Sequence, residues 1–353
     1  MIDPMNPIEA SSLERELLLL QCHEAEVEGR DRVATAQKAL ESLEFHPDAA
    51  PDLFRAAALA CYNAGVDTRQ QEHFKKAVKL GLEIIQRFPD LVIQAEGHHL
   101  VGISLPRDRI AEARKHWEDA LHLLETAAES TYARHLKARI ANSLAEHLSY
   151  GSDIEKTMAK RLFETSIELK QRPDIDDAVG LAISHGGLGR LSLFAEPPDY
   201  VAARHHFEEN LRISESLGSL VGQTKMHSLL GAVDVGERKP ADAKTRYGTA
   251  LRLAAGTVDR LFALAGLTET CALLGQLDEA DQHGGDLAQE IVNRVEAPAT
   301  DSSAADPKSA IPVSCQPRIV QCLAAASALQ NSPWHNTLSS LMEKNKLPPA
   351  SMR

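Results

Sequence analysis

Histidine is the residue type that first suggests chemistry in this chain, with 15 copies and adjacent pairs at His98-His99 and His205-His206. Imidazole binds transition metals and titrates near neutral pH, so such clusters raise a metal site or an acid–base centre. The spacing argues against both. Neighbouring residues on a helix point about 100° apart and cannot close on one ion as an i, i+4 pair does. No HExxH occurs, and His23-Glu24 lacks a second histidine. We read the histidines as structural or solvated and assign no metal site.

The stretch Ser184-His185-Gly186-Gly187-Leu188-Gly189 has the look of a phosphate-cradling or oxyanion loop. It follows no strand pattern and no Lys-Ser or Lys-Thr comes after it, so neither chemistry is supported. Glycines inside a helix cost about 1 kcal/mol each against alanine, so close helix packing is expected here, with a kink that opens a groove as the sharper alternative. Cys22, Cys61, Cys271, Cys315 and Cys322 are odd in number, dispersed and without a CxxC pair. They read as reduced, mostly buried thiols of a cytosolic protein. No catalytic residue and no cofactor is assigned. An enzyme would need a deep pocket gathering groups such as Glu146, His147 or His185.

The elements that carry these residues are helices. Only 4% of residues are aromatic, while Ala and Leu recur throughout, which favours helices packed through small contacts. The formal charge of -12 repels a phosphate backbone, which excludes nucleic acid as an expected partner. Leu17 to Leu20 is too short and too acidic in its flank for a signal peptide, and no segment reaches the roughly 20 apolar residues of a membrane span. A soluble, cytoplasmic protein with no membrane partner is expected.

Self-similarity shows the organisation. Ala77, Ala113, Ala159, Ala203, Ala243 and Ala280 can be aligned, and four residues later come Gly81, Trp117, Phe163, Phe207, Tyr247 and Gly284. Seven and eight residues later come Ile84-Ile85, Ala120-Leu121, Ser166-Ile167, Asn210-Leu211, Ala250-Leu251 and Leu287-Ala288. These spacings share one helical face. Upstream helices carry Leu144-Ala145, Leu188-Gly189, Leu230-Gly231 and Leu267-Thr268, and the two sets are separated by turn signals such as Gly236 and Gly275-Gln276-Leu277-Asp278. Short turns between long helices make antiparallel hairpins.

Leu230-Gly231, Ala243, Tyr247 and Ala250-Leu251, with Ala77 to Arg87-Phe88-Pro89, resemble the tetratricopeptide repeat family. The anchors lie 36, 46, 44, 40 and 37 residues apart, longer than the family's usual unit of about 34. The resemblance implies an all-α fold, an α-solenoid superhelix of about seven antiparallel helix pairs. Residues 1–50 are expected to form an N-terminal capping helix pair, with a capping box at Ser11 and Glu14, and 51–295 the repeat array. The Ala-Pro-Thr-Asp-Ser-rich stretch 296–312 reads as a flexible linker, and 313–353 as a short C-terminal helical appendage with Pro333 at a helix start.

In the resembling family the groove lined by the first helices holds peptides or partner helices. Here that role falls to Arg139, Asn142, Glu146, Arg190, Lys225 and Ser228, where an Arg-Asn pair three residues apart suits a carboxylate or peptide backbone. The family's basic carboxylate clamp is not reproduced as a complete set. Trp117 and Phe207 sit at repeat positions and read as core, whereas Trp334 could anchor a docking interface. The expected function is a non-enzymatic scaffold for a protein or peptide partner, with a ligand- or peptide-responsive regulatory module as the alternative.

Overall fold

The computed structural model describes residues 32–45, 49–254, 256–296 and 316–344. The expected capping box, His23-Glu24, Cys22, Cys315 and nearly all of the 296–312 stretch lie outside the described residues. Among the described residues there are fifteen α-helices and no strand. They are α1 (Arg32–Phe45), α2 (Pro51–Thr68), α3 (Gln71–Arg87), α4 (Leu91–Ser104), α5 (Ile110–Thr126), α6 (Thr131–Leu148), α7 (Asp153–Lys170) and α8 (Ala178–Leu193). There follow α9 (Tyr200–Ser216), α10 (Leu220–Gly236), α11 (Pro240–Leu253), α12 (Thr257–Leu273), α13 (Leu277–Glu296), α14 (Gln316–Ala325) and α15 (Pro333–Lys344).

Local sequence sets the helix ends. Asp90 accepts from the backbone N–H groups of Val92 and Ile93 at 2.9 and 3.0 Å, and Ser152 with Glu155 forms a reciprocal capping box. Asp177, Asp199 and Ser219 cap α8, α9 and α10 in the same way, and prolines open α2 and α11. Gly218 and Gly275 take positive φ of 64° and 72° where the chain turns out of α9 and α12, a conformation other L-residues reach only with strain.

The chain forms two compact units, 1–147 and 148–353. In the first, α1 packs on α2, α2 on α3, α3 on α4 and α4 on α5, and α2 also touches α4. Its core gathers Leu53, Phe54, Ala57, Cys61, Ala77, Leu80, Ile84 and Leu100. In the second, consecutive helices from α7 to α13 pack in order and α10 touches α12, so first helices line up beside first helices. The division falls at the C-terminal end of α6. Within each unit the described helices pack in chain order, which agrees with the helical-repeat reading.

The aromatic anchors pack against glycine. A Cβ on Gly102 would overlap Trp117, one on Gly187 would overlap Phe163, and one on Gly189 would overlap Phe207. Tyr247 sits against both Gly231 and Gly266. The glycines of 184–189 thus remove side chains where two neighbouring rings enter α8, and close packing accounts for them. Phe163, Phe207 and Tyr247 are fully buried.

The C-terminal helices continue the stack: α14 packs on α12 and α15 on α13. Trp334 is buried over Gly284 and its Nε1–H donates to Asp281 at 2.8 Å, while Ser332 donates to the same carboxylate at 2.6 Å. Arg318 of α14 forms a buried ion pair with Glu269 of α12 and lies 4.9 Å from the centre of the Tyr247 ring. Trp334 is an intramolecular anchor.

Candidate partner-binding face

In the first unit the first helices α2, α4 and α6 present polar side chains to one another. Arg55 and Tyr62 are seven residues apart on α2, as are Tyr132 and Arg139 on α6, so each pair shares a face. Arg55 Nη1 donates to the Tyr132 hydroxyl at 2.9 Å, a contact from α2 to α6, and lies 3.6 Å from Glu96 of α4. The three first helices therefore turn toward a common surface. Burial, together with the neighbouring Glu96 carboxylate, raises the Tyr132 phenol and keeps it protonated. Arg55, Glu96 and Tyr132 form a partly exposed cluster that can both donate and accept hydrogen bonds.

Arg139, one of the expected groove residues, belongs to the same surface. Its charge bears on Tyr62 of α2 and on His99 of α4. His99 is fully enclosed; burial and then Arg139 hold its imidazole neutral, and its Nε2 lies 3.1 Å from Ser143 Oγ. The Ser143 hydroxyl donates to the Arg139 carbonyl at 3.2 Å, which leaves the oxygen to accept from the imidazole N–H. Asn142 and Glu146 follow on α6, both half-buried.

The other three expected residues lie in the second unit. Arg190 on α8 is half-buried, Lys225 on α10 is exposed, and Ser228 has 5% exposure and offers little to a partner. Lys225 faces Asp259 of α12, whose carboxyl is raised by burial and partly drawn back by the lysine. The second residues of α8, α10 and α12 are Val179, Val221 and Val258, all exposed, and Ile183 extends this apolar row by one turn of α8. Repetition of one residue type at one register position was visible in the sequence. The Arg55–Glu96–Tyr132 cluster was not, because its members are 36 to 77 residues apart.

The histidines resolve into pairs that differ from the adjacent ones. His98 of α4 meets His116 of α5 with Nδ1 atoms 2.9 Å apart, and His185 of α8 meets His206 of α9 at 3.1 Å. Both second partners stand three residues after an anchor alanine, so the arrangement repeats with the fold. Burial lowers all four imidazoles, with the facing histidine adding to the effect at His98 and His206. A shallow charged depression of roughly 330 Å³ lies between α9, α10 and α11, lined by Arg204, Asp234, Lys239, Asp242, Thr245 and Arg246. Arg204 bridges Asp234 at 2.7 Å and Glu237 at 2.9 Å there, so its guanidinium is engaged within the protein.

No protein-family model and no curated protein matches the sequence. Among solved structures, the fold is similar to that of a Signal Transduction ATPase with Numerous Domains with a tetratricopeptide repeat sensor from Pyrococcus horikoshii, at a TM-score of 0.65 and 15% identity over 95% of this chain. This chain spans about half, 47%, of that protein's length. It is also similar to the apo quorum sensor NprR from B. thuringiensis, at a TM-score of 0.53 and 13% identity, covering 93% of this chain and 97% of that one. A Rap protein complexed with Competence and Sporulation Factor gives a TM-score of 0.53 and 12% identity, with 96% and 97% covered. At these identities the likeness establishes the fold alone: an all-α helical-repeat architecture.

Proposed function

We propose that this chain is a non-enzymatic binding module of tetratricopeptide-type repeats, recognising a protein or peptide through its first-helix faces in the cytoplasm. The observation that carries the reading is the Arg55–Glu96–Tyr132 cluster with Arg139 beside it. Three successive first helices there hold hydrogen-bonding groups at one surface, and such pre-organised donors and acceptors suit a peptide backbone or carboxylate. Asn142 and Glu146 extend this surface, while Arg190 and Lys225 with the row Val179, Val221 and Val258 offer a mixed apolar and basic face in the second unit, with Ser228 buried beneath it. The net charge of -12 argues against a nucleic-acid ligand. Residues 1–50 act as a cap, 51–295 as the array, 296–312 as a linker and 313–353 as a closing appendage.

The finer reading is a peptide-responsive regulator, in which ligand shifts the array between conformations. The likeness of the fold to a quorum sensor and to a Rap protein bound to its factor supports it. Peptides enriched by display selection on the purified full chain provide the test. Arg139→Ala with Asn142→Ala, or Tyr132→Phe, should weaken the enriched peptides at least tenfold without lowering the melting temperature. If peptides selected in this way bind all these variants and a Val221→Lys variant unchanged, the assignment of both faces is wrong.

A further inference from the structure

The turn between α12 and α13 gathers residue types that bind metals. Cys271 lies in the last turn of α12 and is fully buried, while Glu279 and His283 lie four residues apart in the first turns of α13. A spacing of four places two side chains on one helix face, the relation the adjacent histidines lack. The Cys271 sulfur, a Glu279 oxygen and a His283 ring nitrogen all lie within 4.8 Å of one another. The buried Nδ1 of His283 has no hydrogen-bond partner among the described residues, an arrangement that normally costs stability. We infer that Cys271, Glu279 and His283 form a zinc site, with the fourth coordination position open to water on the exposed side of Glu279.

The donor set suits this ion. Sulfur and imidazole favour a borderline-soft divalent cation over magnesium or calcium, and a single carboxylate completes a three-ligand set of the kind zinc takes with an added water. Tetrahedral zinc sets its ligand atoms roughly 3.3–3.6 Å apart, so side-chain rotations suffice to close the trio. Burial raises the Cys271 thiol, and burial keeps His283 neutral with its nearby carboxylates opposing. Binding is therefore an exchange in which Zn²⁺ takes the thiolate, the neutral imidazole and the carboxylate, and the thiol proton leaves to solvent. Lys244 competes: its ammonium donates to Glu279 at 2.6 Å and to Gln276 at 2.9 Å, and it would have to yield the carboxylate to the metal. Asp281, between the two α13 ligands, holds Ser332 and Trp334, so zinc at this turn would also fix the docking of the C-terminal helices.

The test is a cobalt titration of the chelator-stripped full chain, followed by absorption. Co²⁺ should give visible bands of tetrahedral geometry and a near-ultraviolet sulfur-to-metal band at one equivalent, both abolished by one equivalent of Zn²⁺. Cys271→Ser should remove the sulfur band, and His283→Gln should weaken cobalt at least tenfold. Lys244→Met keeps all three ligands and frees Glu279, so it should tighten binding severalfold; this variant decides the matter if Cys271→Ser does not fold. Zinc should also slow proteolysis within 316–344 in the wild type and not in His283→Gln. The absence of a sulfur band in the wild type, its persistence in folded Cys271→Ser, or unchanged or weaker binding by Lys244→Met would each overturn the site.

Discussion

The paired histidines should make the second unit acid-sensitive in a way that one substitution can isolate. His185 and His206 share a hydrogen bond at 3.1 Å between Nδ1 atoms, so one ring donates and the other must stay unprotonated to accept. Burial, then His185, His205 and Lys160, lowers His206 to about 4, against roughly 6.5 for an unfolded histidine. Glu209 opposes the shift at His185, where His205 and Arg212 add to it. Because the folded value lies below the unfolded one, the unfolded chain binds the proton first as pH falls. The stabilisation is complete above about pH 6.5 and is lost between there and about pH 4. At face value the difference corresponds to roughly 3 kcal/mol. His206 is only half-buried and water screens its charge, so about 1–2 kcal/mol should survive. Urea unfolding of wild type and His206→Gln at about pH 7.5 and about pH 4.5 measures it. The variant should be equal or slightly weaker at the higher pH and gain about 1–2 kcal/mol relative to wild type at the lower. Carboxylates that titrate in the same range occur in both proteins and cancel. Parallel stability curves for the two proteins would refute the reasoning, since the histidine pair would then be titrating alike in folded and unfolded chains.

Other outcomes follow from the packing. Glu269→Ala strands Arg318 in the interior and should cost about 3–5 kcal/mol in thermal or chemical denaturation, whereas Glu269→Leu with Arg318→Met should recover most of it. Trp334→Ala vacates the space over Gly284 and removes the bond to Asp281; a local loss of about 3–5 kcal/mol should appear as faster proteolysis within 316–344. Gly189→Ala should destabilise by about 1–3 kcal/mol because its methyl meets the Phe207 ring. Gly248→Ala, where a Cβ meets nothing, should instead stabilise α11 by about 1 kcal/mol, and circular-dichroism melts of the two variants should move in opposite directions.

The sequence by itself determined the helices, their pairing and the positions of their core. Ala159, Phe163 and Ser166, or Ala243, Tyr247 and Ala250, are buried because residues three, four and seven apart share a helical face, and that relation is local. Cap residues and turn glycines are equally local, so the boundaries at Ser152, Asp199 and Gly275 could be read from single positions. Tertiary structure decided which side chains meet across helices. His98 and His99 are neighbours in sequence, yet one turns to His116 within its hairpin and the other to Ser143 on a later first helix. Arg55 reaches Tyr132 over Glu96, and Cys271 comes to His283, only because of how successive helices are turned on one another. That rotation is a sum of many side-chain volumes, such as glycine against phenylalanine at 187 and 163, and no spacing rule along one helix contains it. Docking of Trp334 over Gly284 belongs to the same class: the two are 50 residues apart, and the hole is made by an absence of side chain that reads in sequence as an ordinary helical glycine.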